Sequence, residues 1–164
     1  AHALYEQIGL GALKYFMLKV DPKKRMMFDP EDWIDFNGNT GPFIQYTYAR
    51  IQSILKRAKM LKIDFKGLNF DNVNKLSVNE KRIIDLILKH RNNLKKSAET
   101  YSPSLLCNYV YDLSKTYNSF YQDEKIFDGK NNETTSFKIA LSDMTSSVIR
   151  ESLNTLGMDV VNKM

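Results

Sequence analysis

Apolar positions recur at helical spacing almost from the first residue. Leu4, Ile8, Ala12, Leu13, Phe16 and Val20 fall on one face and predict a helix over residues 3–19. Gly9 and Gly11 inside it cost roughly 1 kcal/mol each against alanine, so both are expected to pack closely, on a neighbour in this chain or on a part of the protein outside it. Asp21-Pro22 breaks the pattern. Met26-Met27-Phe28 reads as extended, and Asp29-Pro30-Glu31-Asp32-Trp33 as a turn leading into one helical turn. Asn37-Gly38-Asn39-Thr40-Gly41-Pro42 is the strongest punctuation in the chain. Thr40 or Gly41 can cap a helix whose first turn holds Pro42, where a missing N–H costs nothing. In that helix Ile44, Tyr48, Ile51 and Leu55 form the apolar stripe, while Arg50, Lys56, Arg57 and Lys59 lie off it.

A loose segment, 62–76, follows. Ser77-Val78-Asn79-Glu80 matches a capping box. The helix after it is expected to bury Ile83, Ile84, Ile87 and Leu88, with Lys81, Arg82, Lys89, Arg91, Lys95 and Lys96 around the rest. Ser102-Pro103 caps a further helix, with Leu106, Tyr109 or Val110, Leu113, Tyr117 and Phe120 inward. Residues 122–133 are polar and turn-like, most clearly at Gly129-Lys130-Asn131-Asn132. The last helix, 134–156, turns Phe137, Leu141, Met144, Val148, Ile149 and Leu156 inward, and Gly157 stands where a left-handed C-terminal cap belongs. Strand-type alternation is scarce and no internal repeat appears. The expected fold class is all-α: a bundle of four long helices over residues 39–164, after a short helical and irregular appendage, 1–38. Pro42 to Arg50 should form the first turns of a long helix, and Leu113 and Leu141 should share one core; a β-rich domain would contradict this.

Charge changes the picture. Residues 41–100 carry thirteen basic and five acidic groups, a net +8, against −1 before them and −2 after them. Such an excess favours a polyanion, nucleic acid ahead of anionic membrane, while plain solvated helix faces rich in lysine remain the alternative that charge alone does not displace. The composition, 43% hydrophobic with seven Gly and four Pro, excludes a collagenous, low-complexity or disordered chain. Cys107 is the single cysteine, so no intramolecular disulfide forms, and a reducing, cytoplasmic compartment is expected. No apolar run approaches the roughly 18 residues that span a bilayer. The opening residues lack the basic and apolar regions of a secretory signal. They also lack an initiator Met, and the chain is expected to be part of a longer one.

Catalytic constellations are missing. His2 and His90 have no metal-ligand spacing to each other or to Cys107, which reads as a small core residue. There is no phosphate-cradling glycine loop, and no acidic pair stands out for acid–base work. Lys59-Met60-Leu61-Lys62 has the outline of the Lys-Met-Ser-Lys signature of class I aminoacyl-tRNA synthetases, but it lacks the Ser and reads as surface charge.

Gly38-Asn39-Thr40-Gly41-Pro42-Phe43-Ile44-Gln45-Tyr46-Thr47-Tyr48-Ala49-Arg50 fits the pattern G-[ND]-T-[AG]-P-[YF]-x-Q-Y-[AT]-x-x-R throughout, and there the chain resembles the anticodon-binding domain of arginyl-tRNA synthetases. Ile8–Phe16 resembles the end of that family's catalytic domain, and Leu106–Leu113 with Tyr117–Tyr121 its third bundle helix. Leu156–Met164 resembles its usual ending, with Val161 where the family has Pro. The resemblance implies tRNA for arginine as the partner and a monomer, with arginine and ATP handled by a catalytic core outside this chain. It implies no cofactor or metal here. It also implies that the start of the first bundle helix, the third helix and the tail meet at the anticodon loop. Phe43, Tyr46, Tyr109 and Met164 are then candidates for base contacts, Gln45 for a base edge, and Arg50 and Arg57 for phosphate or stacking. Core packing remains open for the aromatics, a frayed terminus for Met164, and a brace to a carboxylate for Arg50. Trp33 and Phe36 are expected to pack between appendage and bundle. A non-catalytic helical protein-interaction module is the alternative, and an exposed apolar patch would favour it. The missing ATP-binding motifs predict that the isolated chain, given arginine, ATP and tRNA, shows neither aminoacylation nor pyrophosphate exchange. Turnover above a blank, free of host enzyme, would contradict this.

Overall fold

The structure, a computed structural model, describes residues 2–21, 23–25, 35–66, 75–127 and 132–164. The described residues form six helices and no strand: α1 (His2–Leu18), α2 (Gly41–Met60), α3 (Val78–Leu88), α4 (His90–Glu99), α5 (Pro103–Asp123) and α6 (Asn132–Thr155). The readings of Met26–Phe28, Asp29–Trp33 and Gly129–Asn131 lie outside the described residues. Helix α2 packs on α1 and α6, while α5 covers α3 and α4. Leu113 and Leu141 share one core with Ile44, Ile51, Ile83 and Ile149, and Pro42 to Arg50 form the first turns of α2.

Two helix starts follow their capping chemistry, whereas at α5 the expected Ser102 cap is not made, its Oγ pairing with Ser104 Oγ at 2.9 Å instead. Thr40, in extended backbone, accepts from the Phe43 N–H through Oγ1 at 3.3 Å, with Pro42 in the first turn. Ser77 and Glu80 close a reciprocal capping box. At α6 the chain leaves through Gly157, at φ +73°, with Gly157 N–H bonded to Asn154 O and Met158 N–H to Leu153 O. The same turn ends α2 with Lys62 at φ 53° and α4 with Tyr101 at φ 51°. A side chain in that conformation costs roughly 1–2 kcal/mol.

Four expectations need correction. The basic helix after Ser77 is two helices, broken at Lys89, whose N–H is shared among the carbonyls of Asp85, Leu86 and Ile87. Beyond the break, the His90 ring stacks on Tyr109 at 5.8 Å and meets Ser152 at 3.3 Å. Leu88 is 75% exposed, and Leu86 fills the core in its place, because α3 meets α5 along the line through Ile83 and Leu86. Met144 is 53% exposed for a related reason: α6 buries small hydroxyl residues, Ser142, Thr145, Ser146 and Ser152, beside Leu141 and Ile149. Phe36 is largely exposed rather than packed, whereas Trp33 lies outside the described residues.

Helix α1 crosses α2 backbone to backbone. A Cβ on Gly41 would lie 2.6 Å from the Gly11 carbonyl oxygen, and one on Gly11 the same distance from Gln45 Nε2. Gly9, by contrast, has nothing described within 4 Å of such an atom, so within this chain it is not closely packed. Tyr15 runs from the crossing into the core, its hydroxyl donating to Cys107 O and Asn39 Oδ1. Cys107 is fully buried, and burial pushes its thiol up to about 12, consistent with a core residue.

A buried ion pair joins the end of α5 to α6: Lys138 Nζ lies 2.8 Å from Glu124 Oε2. Burial alone would raise the Glu124 carboxyl, but hydrogen bonds from Lys138 and Ser77 and the Lys138 charge outweigh it and hold the group below its ordinary value of 4.5.

Two outcomes are expected. Gly41→Ala should cost about 1–3 kcal/mol by overpacking, a melting-temperature fall of roughly 2–12 °C, while Gly9→Ala leaves stability equal or higher; calorimetry on both variants checks this. The Glu124 carboxylate stabilises the fold above its unfolded value, and that contribution is lost as pH falls through the lowered folded value. Urea midpoints should therefore drop as pH falls below about 4.5, and Glu124→Gln should flatten that limb of the curve.

Candidate nucleic-acid interface

Residues 46, 50, 53 and 57 of α2 fall on one helical stripe, which forms the wall of a cleft of about 600 Å³. Opposite stand Tyr121, at the end of α5, and the following segment with Lys125 and Phe127. The chain terminus, Lys163 and Met164, closes one side.

Arg50 is the centre of this arrangement. Its guanidinium carbon sits 4.8 Å from the Tyr46 ring centroid and 4.7 Å from that of Tyr121, so two aromatic faces sandwich the cation. Its Nη1 donates to Asn118 Oδ1. Asn118 Nδ2 in turn donates to Thr47 Oγ1 at 2.7 Å, and Thr47 donates to Phe43 O at 2.9 Å. The brace considered for Arg50 thus exists, but through an amide rather than a carboxylate. Two turns further on, Arg57 stands 4.5 Å over the Phe127 ring. Tyr46 and Tyr121 are each 40% exposed, which leaves ring surface open to the cleft beside fixed positive charge.

The candidate residues divide clearly. Tyr46, Arg50, Arg57 and Met164 come together in the cleft. Phe43 turns aside and tilts against Tyr111, with ring centroids 5.5 Å apart. Gln45 is interior, at 1% exposure; its Nε2 donates to Asp159 O at 2.9 Å and reaches Gln7 O at 3.4 Å, while Oε1 is buried with no partner among the described residues. Tyr109 is interior as well: its hydroxyl donates to Leu86 O at 2.8 Å, and burial raises its pKa. Neither of these two presents an edge to a base in this arrangement. Tyr121, Phe127, Lys125 and Lys163 join the site without having been singled out. Tyr121 carried a signal, since it lies one position past the buried Phe120 and so turns off the core stripe. Phe127 carried another, as an aromatic residue within a polar stretch.

Between α3 and α6 runs an apolar groove lined by Ile84, Leu88, Phe137 and Met144, of about 400 Å³. No described helix is long and apolar enough to cross a membrane, and no described cluster of His, Cys, Asp and Glu could hold a metal ion.

Comparison with known proteins places this geometry. An arginine–tRNA ligase of Flavobacterium psychrophilum is 48% identical over 98% of this chain, which covers 26% of that protein. One from Bacteroides fragilis is 46% identical over 96% of the chain, again with 26% of its own length covered. The chain thus spans about a quarter of the curated relatives it matches. Among solved structures, arginyl-tRNA synthetase from Plasmodium falciparum superposes with a TM-score of 0.85 at 28% identity, over 99% of this chain and 28% of that one. The Thermus thermophilus enzyme gives 0.84 at 23% identity over 96% of this chain and 27% of its own, a likeness of fold. Residues 44–164 match the family described as DALR anticodon binding domain. An all-helical bundle and a match over most of the chain agree: the chain belongs to the DALR anticodon-binding domain family.

Proposed function

We propose that this chain is the tRNA-binding part of an arginyl-tRNA synthetase, and that it takes the anticodon loop of tRNA for arginine into the cleft between α2 and the chain terminus. The observation that carries this reading is the Arg50 sandwich. An anticodon is read by splaying its bases onto flat surfaces and hydrogen-bonding their edges. Tyr46 and Tyr121 supply half-exposed rings whose angle is set by the cation between them. Arg57, Lys125 and Lys163 border the same cleft and meet phosphates, and Met164 adds an apolar contact. Residues 1–38 are the end of the parent's catalytic domain and 39–164 the anticodon-binding bundle. The parent attaches arginine to its tRNA with ATP, in the cytoplasm and as a monomer. The apolar groove between α3 and α6 is the one observation that favours the second reading, a protein-interaction module.

Binding separates the two. The chain should bind a stem–loop with an arginine anticodon more tightly than one with a scrambled loop. If about four phosphates are neutralised in the loop, log K should fall against log salt with a slope of about −3 or steeper. Tyr46→Ala should cost roughly 1–3 kcal/mol of binding with that slope kept, and little melting temperature, because the ring is half exposed. Arg57→Ala should flatten the slope by about 0.7. Titration beside thermal melting checks each. Equal affinity for both loops refutes anticodon reading, and no binding by folded protein at low salt leaves the interaction module.

A further inference from the structure

The +8 segment carries more cations than the anticodon cleft uses. On the other flank of α2 a second cleft, about 700 Å³, is lined by Lys56, Lys59, Lys62 and Lys66 over a floor that includes Leu55 and Phe65. Its one carboxylate, Asp64, accepts the Lys66 backbone N–H at 3.0 Å. Among the described residues, none of the four ammonium groups is in an ion pair.

Two further observations point to a ligand of phosphate chemistry. The first is Lys62. It occupies the left-handed position of the turn that ends α2, at φ 53°, where the Ile63 N–H reaches Ala58 O. Glycine would fill that position without strain, as Gly157 does at the end of α6. The strain alone marks no site, since Tyr101 shares it at the end of α4; what sets Lys62 apart is that it lines a cleft with three other lysines. The second is placement. The lysine stripe of α2 lies roughly 140° around the helix from the Tyr46–Arg57 stripe. Ser53 lines the first cleft and Lys56, three residues on, lines the second, so the two clefts flank one helix. A helix is about 10–12 Å across, a width that a short stretch of single strand covers.

We infer that the lysine cleft formed by the end of α2 and residues 62–66 is a second RNA-backbone site, which grips the phosphates of the strand leaving the anticodon cleft. This rests on the RNA-binding reading above and adds to it a site that carries affinity without sequence preference. Lys59 and Lys62, read from the sequence as plain surface charge, acquire a role here. The lysine ammonium groups act as mobile point charges, which attract a phosphodiester strand without fixing its register.

The test compares the wild-type chain with three variants on two RNA probes, a stem–loop with an arginine anticodon and the same stem with a scrambled loop. The first variant is Lys56→Gln with Lys59→Gln and Lys66→Gln. It should lose roughly ten-fold or more in affinity for both probes at low salt, and its salt slope should flatten by about two. The ratio of affinities between the probes should not change. The second variant, Lys81→Gln with Lys95→Gln and Lys96→Gln, removes the same charge from α3 and α4 and should lose much less. The third, Lys62→Gly, should melt at the same or a higher temperature and still bind more weakly, a combination that damage to the fold does not produce. Unchanged affinity and slope in the first variant overturn the site, and so does equal loss in the second, which would reduce the effect to net charge. If the wild type does not distinguish the probes but the first variant still weakens both, anticodon reading fails and the backbone site stands.

Discussion

The close crossing of α1 on α2 is the constraint on which the rest depends. Gly11 and Gly41 bring the two backbones together, and the space left beside Gly11 is filled by the Gln45 amide. That amide reaches Gln7 O on α1 and Asp159 O on the tail, so one interior side chain joins three segments distant in sequence. Lys14 adds a second tie at 2.6 Å, to Gly157 O. The tail is therefore held to the bundle, and its last residues come to rest beside Arg50 and Arg57. Without the crossing, the cleft would lack its third wall.

The cleft itself is organised by one cation. A guanidinium between two tyrosines satisfies both ring faces, and its hydrogen bond to Asn118 fixes its depth. Asn118 and Thr47 pass that restraint to the α2 backbone at Phe43. Each exposed cation–π contact is worth only about 0.5–1 kcal/mol, so the contribution is to geometry more than to stability. Rings set in advance spare a ligand the entropy of ordering them.

The helices were legible because their signals are local: Thr40 and Pro42, the Ser77–Glu80 box, and Gly157 each announce a boundary by their own chemistry. The core was legible where it is apolar, at Ile44, Ile83, Leu113 and Ile149. It was not legible in α6, where buried hydroxyls return to their own helix, as Ser142 does to Lys138 O, and so satisfy themselves in the interior. Nor could one sequence tell Tyr109 from Tyr46. Both are tyrosines on amphipathic helices, and only tertiary packing supplies Leu86 O to the first and an open cleft to the second. Gln45 misled for the same reason, since a polar residue reads as available until its internal acceptors are known.

Cys107 has a practical consequence. It is the one thiol of the chain, fully enclosed, and the Tyr15 hydroxyl closes over its carbonyl oxygen at 2.9 Å. The thiolate is the nucleophile, and burial holds the thiol in its protonated form at neutral pH. An alkylating reagent therefore passes the native molecule by and marks it only when the core around Cys107 opens. The rate of that modification is a clock for the opening of the bundle, built into the natural chain without any added probe.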